Sequence, residues 1–268
     1  IPVEHQFIVT EPCEELVKRK EQGLPEMAVL RESDQSYYLR EERQGLIVGP
    51  YEKGAPAWAV DGVPESFGQE LLPPDIDRLQ VHIDAAIRRV PMLGRVGIKD
   101  CVNGPIPYTP DGSPLIGPAP GLRNYWLAEG FSFGITAAGG AGKLLAEWMV
   151  NGESSVDPWD VDPRRFGAFA NKAYTKIKNE EAYEHIFVLH YPLEERGGAR
   201  PAKTSPIYDR LTALGAVWGQ KFGWERPNWF APKGTEPKDA YSFRRGNFFE
   251  AARAECKAVR ERVGIQDL

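Results

Sequence analysis

The sequence predicts a mixed α/β fold, an α+β arrangement in which short strands dominate the first third and helices the remainder. Three observations carry this. Largely apolar runs four or five residues long recur before residue 50, bounded by Gly, Pro and polar residues. Ile76, Leu79, Ile83, Ile87 and Val90 recur at helical spacing between Pro74 and Pro91. Asn124–Val150 reads as a strand, then a glycine-punctuated loop, then a helix.

In chain order, Gln6–Thr10 and Met27–Arg31 are short apolar runs with strand character. Ser36–Arg40 and Leu46–Gly49 flank Gln44-Gly45 as a hairpin. Pro73-Pro74-Asp75 opens the helix that ends before Pro91. Asn103–Pro114 carries Pro105, Pro107, Pro110 and Pro114 and is expected to be a rigid loop, with Pro110-Asp111-Gly112 as turn chemistry. It reads equally as the wall of a pocket and as a stiff surface connection. Tyr125–Ala128 is strand-like, and Gly130-Phe131-Ser132-Phe133-Gly134 leads into a helix rich in Gly139, Gly140 and Gly142. Small residues at a helix start allow close approach to the backbone, and the free N–H groups there favour a negative ligand atom. This is a candidate cofactor cradle; tight helix-on-sheet packing without a ligand accounts for the same glycines. Further on, Asn151–Pro163 is a polar linker. Phe166, Phe169, Ala173 and Ile177 mark a helix, and Ile186–Tyr191 a strand. Arg196–Pro206 is a second linker. Ile207–Phe222 is expected to be helical, with Leu211, Leu214 and Trp218 on one stripe. Trp224–Phe230 is extended, Glu225-Arg226 a local ion pair, and Phe248–Val263 a last helix.

Composition narrows the function. The 268 residues are 42% hydrophobic and 26% charged with net charge −5, which is ordinary globular material and gives no basic surface for nucleic acid or an anionic membrane. Cys13, Cys101 and Cys256 form no CxxC pair, and the four histidines are scattered, so neither a disulfide framework nor a metal site is expected. No apolar run reaches the length of a membrane span.

The order of several unrelated words then resembles one family. His5–Thr10, Tyr38-Leu39-Arg40, Phe67–Pro73, Asn103–Pro118 and Gly130–Ile135 follow the pattern of dimethylglycine and sarcosine dehydrogenases, flavoproteins of glycine-oxidase-like fold. Asp162–Gly167, His190-Tyr191-Pro192 and Glu194-Glu195-Arg196 resemble that family's central domain, and Ser205–Leu211 with Phe222–Phe230 the entry to its folate-binding, aminomethyltransferase-like domain. The resemblance implies three parts: residues 1–150 as the C-terminal part of an FAD oxidoreductase domain with a β-rich substrate region, 151–204 as the central domain, and 205–268 as the start of the folate domain. It implies an internal piece of a longer enzyme, since the family's GxGxxG unit would lie ahead of Ile1.

The activity so implied is FAD-dependent oxidative demethylation of an N-methyl amino acid, with hydride passing to flavin N5. The one-carbon unit goes to tetrahydrofolate or leaves as formaldehyde. The electrons go to oxygen or an electron-transfer flavoprotein. The compartment would be the cytoplasm in a bacterium and the mitochondrial matrix in a eukaryote. Gly130, Phe131, Ser132, Phe133, Gly134 and Ile135 would contact FAD. His5, Phe7 and Tyr108 are the catalytic candidates: His5 to accept or relay the amine's proton, Phe7 where many relatives carry Tyr, Tyr108 on the loop beside the flavin. A structural role stands as the other reading for His5 and Tyr108. Ile106 falls where related amino-acid oxidases carry a carboxylate-gripping arginine, so the carboxylate would be bound elsewhere, by Tyr108 or by residues upstream of Ile1. Two other readings remain: a folate-dependent aminomethyltransferase with a vestigial oxidase part, and a non-catalytic docking module.

Overall fold

The computed structural model describes residues 1–264; the last four, in the stretch expected to begin a third domain, lie outside the described residues. The chain divides into two compact units, one formed by Ile1–Arg165 with Thr175–Leu189, the other by Phe166–Tyr174 with His190 onward.

The first unit is built on an antiparallel five-stranded sheet. Its strands are β1 (Pro2–Thr10), β2 (Leu30–Glu32), β3 (Tyr37–Glu42), β4 (Gly45–Pro50) and β5 (Ile98–Pro107), in the order β2-β3-β4-β1-β5. Helix α1 (Glu14–Glu21) follows β1, and α2 (Ile76–Arg89) precedes β5. Alternation sorts the side chains onto two faces. Leu39, Leu46 and Val48 meet Leu16 of α1 and Ala85 and Ala86 of α2 in one core. Val3 on the opposite face joins Tyr51, Tyr108, Ala182 and Tyr183 in a second core. Asp75 caps α2 by accepting from Arg78 N, as the Pro-Pro-Asp start predicts.

A two-stranded antiparallel ribbon follows, β6 (Leu115–Pro118) with β7 (Trp126–Glu129), and leads into α3 (Gly134–Asn151). Helix α4 (Lys172–Glu184) supplies Ala182 and Tyr183 to the second core.

In the second unit, α5 (Tyr208–Ala213) precedes a hairpin of β8 (Ala216–Lys221) and β9 (Trp224–Phe230), and α6 (Phe249–Glu261) follows. Val217, Trp229 and Ala231 form its core, with Phe248 and Ala251 against them.

Several elements differ from the sequence expectation. Asn103–Pro107 is strand, not loop: β5 pairs only with β1, so Pro105 and Pro107 sit on an edge where a missing N–H is tolerated. The apolar run Met27–Arg31 contributes only its last two residues to β2. Phe166 and Phe169 precede their helix, and Asn171 Oδ1 accepts from Tyr174 N at 3.0 Å to cap its first turn. Ile186–Tyr191 forms no strand. Ile207–Phe222 is split, because Gly215 adopts φ +89° and a Cβ there would meet Ala231 O at 2.8 Å. Glu225, expected to pair locally, binds Arg200, whose Nη2 and Nε donate to it at 2.5 and 3.0 Å. Helix α1 escaped periodicity because Leu16 is its one buried side chain; acids in its first turn and bases in its last favour it through the helix dipole.

Candidate active site

The face of the first sheet opposite α2 brings the sequence candidates together. β1 directs Val3, His5 and Phe7 to this face. His5 stands opposite Gly104 of β5, and Phe7 opposite Val102. The His5 ring lies 4.7 Å from that of Tyr51, which follows β4, and 5.8 Å from that of Tyr183 on α4.

Hydrogen bonds define the state of His5. Tyr183 Oη donates its single hydrogen to Glu52 Oε2 at 2.7 Å, because a carboxylate oxygen only accepts. His5 Nδ1, 3.0 Å from the same hydroxyl, is therefore the donor in that contact. This assigns the Nδ1–H tautomer from the network and leaves Nε2 with an acceptor lone pair. Burial holds the imidazole pKa down to about 4 despite the nearby Glu52 charge, so the ring is neutral at working pH. Burial, reinforced by Glu52, pushes the Tyr183 hydroxyl well above its ordinary range, and burial lifts Tyr51 to about 12. Both stay protonated.

Glu52 is 1% exposed and is matched by Arg78 of α2, whose Nε donates to Oε1 at 2.9 Å. A second arm of Arg78 donates to Glu4 Oε2 at 3.2 Å, which also accepts from Asn103 Nδ2 at 3.1 Å. Burial opposes the Arg78 charge, but Glu52 and Glu4 outweigh it and raise its pKa. A buried charge with this many partners is fixed in place, and with it Tyr183 and His5.

The glycine segment reaches the same face. Gly130 takes φ +76°, and a Cβ there would lie 2.7 Å from Thr109 Cγ2. Phe131 and Ser132 are partly buried, Phe133 and Gly134 are exposed, and Ile135 is fully exposed at the start of α3. Phe133 meets Phe187 edge-on at 5.7 Å, and Phe187 meets Tyr51 edge-on at 4.4 Å. One aromatic path thus joins the glycine segment to His5. Arg165, with its side chain 1% exposed, clamps the turn that walls this segment: Nε and Nη2 bind the Asp111 carboxylate at 2.7 and 2.9 Å, and Nη2 also reaches Ser113 O.

These residues fit a flavin. The N-cap Phe133 offers no side-chain cap, and the first turn of α3 holds no acid, so its N–H groups remain donors for an electron-rich ring edge. A Cβ at Gly139, Gly140 or Gly142 would meet nothing within 4 Å, and Gly139 and Gly142, three residues apart, leave one side of the helix open to a large neighbour. Tyr108 is 3% exposed and set edge-on to Tyr183 at 5.6 Å, within the second core. Ile106 pairs with Val3 and is apolar packing. Sequence reading missed Tyr51, Glu52, Tyr183 and Phe187, which carry no local motif. Among the described residues no group of three or more His, Cys, Asp or Glu could hold a metal ion, and no helix is long and apolar enough to cross a membrane.

The model for FAD dependent oxidoreductases matches residues 1–148, that for the FAD dependent oxidoreductase central domain 151–205, and that for the GCVT N-terminal domain 207–268. Mitochondrial dimethylglycine dehydrogenase of Homo sapiens is 44% identical over 274 residues, covering all of this chain and 31% of that protein. Mitochondrial sarcosine dehydrogenase of Homo sapiens is 34% identical over 91% of the chain and 26% of its own length. The formaldehyde-forming 4-methylaminobutanoate oxidase of Paenarthrobacter nicotinovorans is 36% identical over 92% of the chain and 30% of its own. The chain therefore spans less than a third of each of these relatives.

Proposed function

Because the chain belongs to the FAD dependent oxidoreductase family and matches dimethylglycine and sarcosine dehydrogenases along most of its length, we propose that it forms the substrate side of an amine dehydrogenase or oxidase that demethylates an N-methyl amino acid. The observation that carries this reading is the neutral His5, held by Tyr183 and Glu52 on the face that the Gly130–Ile135 segment joins through Phe133 and Phe187.

Bound FAD supplies the hydride acceptor. The first turn of α3 and the Gly130–Ile135 backbone hold its electron-rich edge. His5 Nε2 accepts the N–H of a protonated secondary or tertiary amine, and so orients the methyl group. With a pKa near 4 it is too weak a base to keep an ammonium proton, so its part is to accept the hydrogen bond and orient the amine. Phe7 and Phe187 keep water from the methyl, and Tyr108 supports the ring of Tyr183.

Residues 1–150, 151–204 and 205–268 act as the C-terminal part of the flavin domain, the central domain and the start of the folate domain; the one-carbon unit passes to tetrahydrofolate in the complete folate domain or leaves as formaldehyde. The acceptor is oxygen or an electron-transfer flavoprotein. The location is the mitochondrial matrix in a eukaryote and the cytoplasm in a bacterium.

The test is an anaerobic absorbance spectrum of the full-length protein with sarcosine and then dimethylglycine. Bleaching of the visible flavin band supports the assignment; a flavin that neither compound reduces refutes the substrate class, and protein that takes up no FAD refutes the activity.

A further inference from the structure

The site described so far holds an amine but offers nothing to a carboxylate: Ile106 is apolar, and Arg78 is spent on Glu52 and Glu4. One cation on the same face is uncommitted. Arg31 of β2 is exposed and forms no ion pair or hydrogen bond with the described residues.

Register puts it in line with the site. Arg31 pairs with Tyr38, Tyr38 with Gly49, and the Ile8–Val48 pairing sets Phe7 beside Gly49, so these side chains share one face. Gly49 makes room for the Tyr38 ring, which lies over it between Arg31 and Phe7, for a Cβ there would sit 2.2 Å from Tyr38 Cζ. The Arg31 guanidinium carbon lies 3.8 Å over the centroid of Phe187, the ring that Phe133 and Tyr51 both touch. A guanidinium seated on a ring face keeps its in-plane N–H donors free, which is the geometry a carboxylate takes bidentately. Arg40, the other cation in this part of the sheet, is bound to Glu42 at 2.7 Å.

We propose that Arg31 binds the carboxylate of the substrate, and that it is the residue by which the enzyme prefers N-methyl amino acids over simple methylamines. The inference rests on the demethylating activity proposed above. Its positive charge also reaches the hydroxyls of Tyr38 and Tyr51, where it partly offsets the rise that burial causes.

The experiment compares dimethylglycine with N,N-dimethylethylamine, which carries no carboxylate, as reductants of the full-length holoenzyme. In Arg31→Met, kcat/KM for dimethylglycine should fall about 10- to 100-fold, chiefly through KM. The ratio of kcat/KM for the two substrates should fall with it. Arg31→Lys, which keeps the charge and loses the fork, should give an intermediate ratio. A ratio that neither variant changes overturns the proposal, whether both substrates suffer equally or neither does. If dimethylglycine fails to bleach the wild-type flavin while FAD is bound, the demethylating assignment falls, and the role of Arg31 with it.

Discussion

Replacing His5 by Gln in the full-length flavoprotein tests whether the fold holds the imidazole neutral. The ring titrates at about 6.5 when free and at about 4 in the folded chain, where burial opposes the charge. Between these values the unfolded chain binds more protons than the folded one. Stability therefore rises with pH across this window, and acidification from pH 6.5 toward 4 removes it; above pH 6.5 the group contributes no slope. The gap of about 2.5 pH units corresponds to roughly 3 kcal/mol below pH 4, and to about 2 kcal/mol at pH 5. Urea unfolding followed by tryptophan fluorescence, at pH 5 and pH 7.5, reads this directly. Between those pH values wild type should lose about 2 kcal/mol more than His5→Gln. A difference below about 0.5 kcal/mol would mean that the ring charges freely in the native state. The lone pair at Nε2 would then be lost near neutrality, and the amine-orienting role with it. The same logic predicts a flavin-reduction profile with no limb near pH 6.5 from His5.

Tyr183→Phe leaves His5 Nδ1–H and Glu52 Oε2 without their shared partner, which should cost about 2–4 kcal/mol and slow flavin reduction at least roughly tenfold in anaerobic stopped-flow. Gly130→Ala places a side chain at φ +76° against Thr109, whose hydroxyl is committed to Ser113 O at 2.7 Å; a cost of about 2–3 kcal/mol should appear as weaker FAD retention in a flavin-release titration. Arg165→Met strands Asp111 and the Ser113 carbonyl; about 3 kcal/mol of lost stability, read by urea unfolding, is expected, with faster proteolysis of the 109–114 turn.

What could be read from the sequence is what neighbouring residues decide. β1, the β3–β4 hairpin, α2, α3, β9 and α6 each carry their own period or cap, and each stands close to its expected place. The elements misjudged are those whose outcome is set from a distance. Pro105 and Pro107 are compatible with a strand only because β5 lies at the sheet edge, and the 207–222 stripe breaks only because Gly215 lies against Ala231. The site divides in the same way. His5 and the Gly130–Ile135 segment were visible as local words. Tyr183 and Glu52 were not, since the bonds that give His5 its tautomer join it to a residue 178 positions away and that residue to one 131 positions away. Tyr51-Glu52 after an apolar strand reads as an ordinary exposed exit, and only the meeting of Arg78 from α2 with Tyr183 from α4 makes Glu52 a buried anchor. That dependence has a consequence for substitution. A change at Glu52 acts on α2, α4 and β1 at once, so Glu52→Gln, which keeps the shape and removes the charge, leaves Arg78 only Glu4 and Asp75 as ionic partners and should cost about 1–3 kcal/mol in urea unfolding. The double variant Glu52→Gln/Arg78→Met removes both charges and should recover a large part of that loss without restoring the rate of flavin reduction, because Tyr183 would still lack the anion that orders its hydroxyl toward Glu52 and its oxygen toward His5. Recovery of the rate along with stability would mean that the charge at residue 52 serves the fold alone.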